Sequence, residues 1–332
     1  MNDLIKKVKH TIKNNNLIEP GDKIVLAVSG GPDSICMLDV IYKIVNLNPE
    51  PTDNYAKIVV AHVNHMIREE AADDEDFVRD FCKKIGVEFY SKSIDVKKLA
   101  NNKKIGLEEA GRKARYDFFD EIANLTHANK IAIAHNKNDS VETVIMHALR
   151  GSGTYGLHGI EAKNGKYIRP LIECERHEIE EYCKDNDIQA RIDKTNLENE
   201  YTRNKIRNIV LPYIKKEFNP NITETICRLS DVLKDQDDFI ETIVRNSYAQ
   251  MVLNESNNEI VLDLKKFNLQ EKVIKSRLVL YTINRLFGTT NGIEKIHIDD
   301  ILKLCQNNVG NKYLMPNKNT KVYVKSRKTK FL

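Results

Sequence analysis

An apolar run, Ile24-Val25-Leu26-Ala27-Val28, leads directly into Ser29-Gly30-Gly31-Pro32-Asp33-Ser34, and Ile35 to Ile41 continues as an amphipathic segment. That order commits the chain to a buried strand, a tight glycine turn and a helix. Such a turn aims backbone N–H groups and a helix N-terminus at one spot, which attracts phosphate. Two glycines let the main chain approach an anion closely, and Ser29 and Ser34 add hydroxyl donors. Asp33 is the odd member, since phosphates repel a carboxylate unless a cation bridges them. Magnesium binds through one or two carboxylates plus phosphate oxygens and resolves the conflict. Ser29, Gly30, Gly31, Pro32, Asp33 and Ser34 therefore read as an ATP–Mg2+ loop. It is not a Walker A loop, which requires a lysine absent here. Gly-Gly before Asp-Ser is also ordinary turn and helix-cap chemistry; the flanking strand and helix favour the nucleotide.

Alternation of strand and helix continues to about residue 195. Lys57–Val63, Val87–Ile94, Lys130–His135 and a shorter candidate, Ile188–Ile192, read as strands. Helical patterns run through Phe77, Val78, Phe81, Cys82 and Ile85, through Leu107, Ala110, Ala114 and Phe118, and from about Ser140 to Leu149. This implies βαβ units and a mostly parallel sheet with helices on both faces. Ligands bind such sheets beyond the carboxyl ends of the strands. Three polar clusters fall there, Ser29–Ser34, His62–Arg68 and His135–Glu142, and are expected to share one crevice. Character changes near Leu211-Pro212, so 1–212 and 213–332 are expected to be separate domains. The second begins with a long helix, Asn221–Leu253, followed by a short strand at Ile260–Leu264, two further helices and a basic hairpin.

At 332 residues the chain exceeds one typical core. No apolar stretch approaches the roughly 20 residues of a membrane helix, and the N-terminus lacks a signal-peptide core, so a cytoplasmic protein is expected. A net charge of +4 permits a nucleic-acid partner without requiring one, but from Asn311 onward there are seven Lys or Arg and no Asp or Glu. That run is a polynucleotide contact or a solvated hairpin. Six scattered cysteines form no C-x-x-C pair, which suits buried thiols and supports neither a cluster nor zinc.

Within the clusters, the His62 ring and the Asn64 amide suit the adenine edge, and Arg68 suits phosphate. Glu108, Arg112 and Arg115 share a helix side, as an ion-pair stripe or an anion clamp. Asp139 and Glu142 share another: one carboxylate could hold magnesium with Asp33, the other a cationic amine. The same pair also fits an N-terminal cap with a first-turn acid. Arg150-Gly151-Ser152-Gly153 is a candidate lid. Arg203 and Arg207, at i and i+4, are spaced to grip successive phosphates of a polynucleotide, or lie on a solvated face.

Ser29–Ser34 resembles the S-G-G-x-D-S loop of enzymes that cleave ATP between its α- and β-phosphates. The loop, H-V-N-H-M-I-R, E-E-A-G-R-K-A-R-Y, N-D-S-V-E-T, R-G-S-G, Arg169-Pro170-Leu171, D-K-T-N and Y-T-R-N-K-I-R-N, in that order, together resemble bacterial tRNA(Ile)-lysidine synthetases. The resemblance is close from about 24 to 212. It implies a Rossmann-like α/β domain of the PP-loop ATPase type and a smaller, mainly helical, tRNA-binding C-terminal domain ending in a basic β-hairpin. It also implies ATP, Mg2+, L-lysine and tRNA(Ile) with a CAU anticodon as ligands. ATP would adenylate the oxygen on carbon 2 of the wobble cytosine, and the ε-amine of lysine would displace AMP. The residues implied are Asp33 and Asp139 for metal and catalysis, Arg112 and Arg115 at the phosphate or adenylated base, and Asp139 with Glu142 for lysine. Many members carry two Asp and then Gln where this chain has Asn138-Asp139-Ser140, so the catalytic role falls on Asp139. Many also carry a second C-terminal domain for the acceptor stem, before which this chain stops. A related tRNA thiolase would need paired cysteines. Oligomeric state stays open, a homodimer included.

Overall fold

The computed structural model describes residues 3–46, 56–66, 71–191, 201–307, 312–315, 320–325 and 328–332. Arg68, the Asp193–Asn196 turn and parts of the terminal basic segment lie outside them. The chain divides into two compact units, Met1–Asp231 and Val232–Leu332.

The first unit is built on a six-stranded sheet of β1 (Asp22–Ala27), β2 (Ala56–Asn64), β3 (Glu88–Ser93), β4 (Lys130–Ile133), β5 (Lys163–Asn164) and β6 (Tyr167–Ile168), in the order β3-β2-β1-β4-β6-β5. All neighbours are parallel except β5 with β6. Strand side chains alternate between faces, and both faces are covered. Ile24, Leu26, Val60 and Ala132 join the core beneath α1 (Asp3–Asn14), α2 (Pro32–Asn46), α3 (Ala71–Ile85) and α7 (Arg176–Asp185). Val25, Ala27, Val59, Ala61 and Ile131 pack beneath α5 (Leu107–Thr126). Each fully buried aliphatic chain contributes about 1.5–3 kcal/mol, so a one-residue slip of register would expose a whole face. The short α4 (Val96–Lys103) precedes α5, and α6 (Lys137–Leu149) follows β4.

Chain order explains the crevice. From β1 the chain moves outward to β2 and β3, then returns to place β4 on the other side of β1. The connections after β1 and β4 therefore part company, leaving a gap at their carboxyl ends. The expected strand at Ile188–Ile192 is absent over its described part. Ile188 packs on the core, and the Arg191 backbone N–H donates to the Gly30 carbonyl at 3.1 Å, so this stretch braces the glycine turn. Beyond it, α8 (Thr202–Lys205) runs through a wide π-type turn, 206–210, into α9 (Leu211–Glu217) and then α10 (Ile222–Met251).

The two units divide inside α10. The second contains α11 (Leu264–Asn268), α12 (Lys272–Phe287) and α13 (Lys295–Asn307) against a sheet ordered β7-β8-β11-β10-β9. Its strands are β7 (Val252–Glu255), β8 (Ile260–Asp263), β9 (Lys312–Leu314), β10 (Val322–Lys325) and β11 (Lys328–Phe331). The basic terminal segment is thus a helix-backed part of a five-stranded antiparallel sheet rather than a lone hairpin. Val322, Val324 and Phe331 hold it to the core. Among the described residues no helix is long and apolar enough to cross a membrane.

Candidate active site

Gly30 has φ +94°, a left-handed conformation that glycine adopts without strain. Gly31 then caps α2, its carbonyl accepting from the Ser34 and Ile35 N–H groups, and Pro32 occupies the first helical position. Ser34 Oγ donates to the Gly31 carbonyl at 2.9 Å and accepts from the Ser29 N–H at 3.1 Å, while the two serine hydroxyls lie 3.1 Å apart. The loop's donors are thus gathered at a helix N-terminus, as its composition implied.

Asp33 lies in the first turn of α2, and its Oδ1 is buried without a hydrogen-bond partner among the described residues. Burial, then the neighbouring Asp139 carboxylate, pushes Asp33 up to about 6, against the opposing pull of Arg176, Asn136 and Arg207. The Asn136 amide favours the anion, yet its Nδ2 too is buried without a partner, so the two groups are near but not bonded. An orphaned carboxylate oxygen beside a second carboxylate is what a divalent cation would satisfy. Among the described residues no group of three or more His, Cys, Asp or Glu forms a metal cage, so the donor set suits an ion that takes its other ligands from phosphate and water.

At the end of β4, Asn136 and Asp139 form a reciprocal capping box. Asn136 Oδ1 accepts from the Asp139 N–H at 3.0 Å, and Asp139 Oδ2 accepts from the Asn136 N–H at 3.0 Å. Capping occupies only Oδ2. Oδ1 accepts from Arg203 Nη2 at 3.1 Å and Arg207 Nη2 at 3.0 Å, with Arg176 Nη2 at 3.9 Å. Glu142, 1% exposed, accepts from Arg203 Nε at 2.8 Å and from Arg207 Nε and Nη2 at 2.6 and 2.8 Å. Asn138 is diverted, accepting from the Arg176 backbone N–H at 2.9 Å. Ser140 Oγ accepts from the Ile160 N–H, under Gly159, where any Cβ would fall 2.3 Å from that hydroxyl.

Arg203 and Arg207, expected to grip polynucleotide phosphates or to lie on a solvated face, engage the acids of the site in the structure. Their i, i+4 spacing directs both onto two buried carboxylates, and the π-type turn beginning at Ile206, which is buried, holds them there. Sequence spacing cannot distinguish an inward from an outward stripe. Replacing Arg207 by Ala should therefore lower stability by about 2–3 kcal/mol and leave the salt slope of tRNA binding unchanged. A slope reduced by about one unit in a filter-binding salt titration would restore the phosphate contact.

His62 is 3% exposed, and its Nδ1–H donates to the Val28 carbonyl at 2.9 Å, tying β2 to the start of the glycine loop. It supports the loop from beneath, with Nδ1 committed. Asn64 Oδ1 accepts from the Met66 N–H, and its amide lies 3.4 Å from Glu75. Arg112 and Arg115 stand exposed on α5, with the Arg112 guanidinium 5.4 Å from the Tyr116 ring centroid. Arg150–Gly153 follows α6 as an exposed turn with Gly151 at φ +71°. Arg176 and Asn136 joined the site without a signal in the pattern: one starts α7, far along the chain, and the other looks like a simple cap. All six cysteines are free thiols, five of them buried.

Comparison with known proteins gives the family. Residues 1–214 match the model of the PP-loop domain family. The chain is 43% identical over 317 residues to the tRNA(Ile)-lysidine synthase of Clostridium acetobutylicum, covering 95% of this chain and 67% of that protein. It is 44% identical over 324 residues to the enzyme of that name from Clostridioides difficile, covering 97% of this chain and 69% of that one. It therefore spans about two thirds of these relatives. Among solved structures, the U34-tRNA thiolase NcsA from Methanococcus maripaludis, with its [4Fe-4S] cluster, superposes with a TM-score of 0.55 at 18% identity, covering 70% of this chain and 79% of that one. That likeness concerns the fold alone. With an ATP-binding PP-loop domain and close relatives along nearly its whole length, the chain belongs to the tRNA(Ile)-lysidine synthase family.

Proposed function

We propose that this chain is a cytoplasmic ligase that joins free L-lysine to carbon 2 of the wobble cytidine of tRNA(Ile) with a CAU anticodon, using ATP. The observation that carries this reading is the meeting, at the β1/β4 gap, of an orphaned Asp33 oxygen with the buried Asp139–Glu142 pair. One side of the gap suits a nucleotide, the other a cation. That two carboxylates gather guanidinium groups so tightly supports a pocket selective for an amine such as the lysine side chain.

In this reading the glycine turn, Ser29, Ser34 and the α2 N-terminus cradle the ATP phosphates. Asp33 with Asp139 would hold Mg2+, which when bound offsets charge on the α-phosphate. The cytosine oxygen attacks the α-phosphorus and pyrophosphate leaves. Arg112 and Arg115, exposed on α5, hold the phosphoryl oxygens of the adenylated base. Lysine arrives as an ammonium with an ordinary pKa near 10.4 and must lose a proton before attacking. Glu142 and Asp139 orient it and accept that proton, while Arg203 and Arg207 hold both carboxylates in place. We assign tRNA contacts to the second domain, with its basic terminal strands.

The reading is tested by following both products. With tRNA(Ile) of CAU anticodon, ATP and Mg2+, pyrophosphate release should occur without lysine, and AMP release should require it. Pyrophosphate release without tRNA, or AMP release indifferent to lysine, would sink the proposal.

A further inference from the structure

His135 and Arg169 lie beside this site with no part in the scheme above. Arg169, 9% exposed, follows β6, and its Nη1 donates to the Glu161 carbonyl at 2.6 Å. Its Nε donates to His135 Nδ1 at 3.2 Å. A guanidinium has only donors, so Nδ1 must carry the lone pair. A neutral imidazole has one N–H, and here it is on Nε2. Among the described residues no group takes up that N–H.

We propose that Arg169 is a positioning residue that locks His135 as its Nε2–H tautomer, so that His135 donates a hydrogen bond to a phosphoryl oxygen of the nucleotide substrate and does not act as a base. The inference rests on the ligase reading for the identity of that oxygen, but not for the tautomer.

The charges around the ring agree. Arg169, Arg203 on α8 and Arg112 on α5 oppose protonation, and Asp139 on α6 favours it. Burial, the largest influence, joins the arginines in pushing His135 down to about 4. The ring therefore stays neutral across the physiological range. The arginines draw an anionic ligand to this place, and a neutral N–H adds direction to its binding. When the amine bonds to carbon 2, the carbon–oxygen bond breaks and its electron pair leaves on the AMP oxygen. The amine proton passes to the carboxylates, and His135 keeps its own while donating to the phosphoryl group. The acceptor is an α-phosphate oxygen of ATP in the first step or of the departing AMP in the second.

The test uses the full-length protein labelled with 15N-histidine, with long-range 1H–15N spectra assigned through His135→Gln. Wild type should show the Nε2–H tautomer from pH 5.5 to 8. Arg169→Met should give mixed tautomers and raise the His135 pKa by at least about one unit, and Arg169→Lys should fall between. His135→Gln retains a donor near the Nε2 position and should keep activity within about threefold, whereas His135→Leu should lose about 10- to 100-fold. Loss in pyrophosphate release identifies ATP as the acceptor, and loss confined to AMP release identifies the departing AMP. An Nδ1–H or doubly protonated ring at pH 7 overturns the lock. His135→Gln as inactive as His135→Leu overturns the donor role in favour of a base, and two harmless substitutions overturn it outright. If wild type releases neither product, the ligase reading and the donor role both fall, while the spectra still decide the lock.

Discussion

Asp33→Asn should reduce tRNA-dependent pyrophosphate release by about 10²–10³-fold or more and, at the same time, make the ligand-free protein more stable. Both effects have one cause: a carboxylate with one oxygen buried and without a partner among the described residues. Raised from 3.8 to about 6 by burial and Asp139, Asp33 keeps a proton that the unfolded chain gives up. The folded state is therefore progressively disfavoured as pH rises from 3.8 through about 6. Above that window the penalty approaches about 3 kcal/mol, which asparagine escapes. A Tm higher by roughly 5–10 °C at pH 7.5, shrinking toward pH 4.5, is the expected result. Magnesium with an ATP analogue should raise the wild-type Tm, increasingly so above pH 6, and leave the variant unmoved. Unchanged pyrophosphate release, or an equal Mg2+ effect in both proteins, would remove Asp33 from the metal site.

Glu142→Gln should raise the KM for lysine about 10- to 100-fold, matching the roughly 1.5–3 kcal/mol of a charge-assisted contact, while adenylated tRNA still forms. The substitution also strips Arg203 and Arg207 of the carboxylate that accepts from both at 2.6–2.8 Å. Loss of a buried countercharge should lower the unfolding free energy by about 3 kcal/mol. Single-turnover assays on tRNA, with thermal melts in parallel, separate the two consequences. A collapse in ATP affinity with lysine affinity intact would move Glu142 to the nucleotide side. A lower Tm with equal, small changes for both substrates would leave it a purely structural acid.

How much of this was legible beforehand differs between residues. The Ser29–Ser34 turn was read correctly because everything it needs is local: a strand before it, a φ only glycine tolerates, and a helix after it. The core strands were equally legible, since burial on both faces leaves a continuous apolar run. Asp139 was a harder case. Its capping role holds, through one oxygen, while the other oxygen is bonded to two arginines. The capping box is local and visible as Asn136…Asp139, while the arginines come from residues 64 and 68 positions away.

The order of residues alone therefore determined the strand–turn–helix unit, the parallel alternation and the meeting of the Asp33 and Asp139 loops beyond the strands' carboxyl ends. These follow from backbone geometry and short-range periodicity. Tertiary structure alone decided which charges meet. Arg203 and Arg207 looked like a polynucleotide grip, and His62 like an adenine contact. The fold directs the first two onto Asp139 and Glu142 and ties Nδ1 of the third to the Val28 carbonyl. It also links Arg169 to His135 across 34 residues. Electrostatic partners depend on through-space distances of a few ångströms, and these are set by how the sheet, α5, α6 and α8 pack together, which no periodicity encodes.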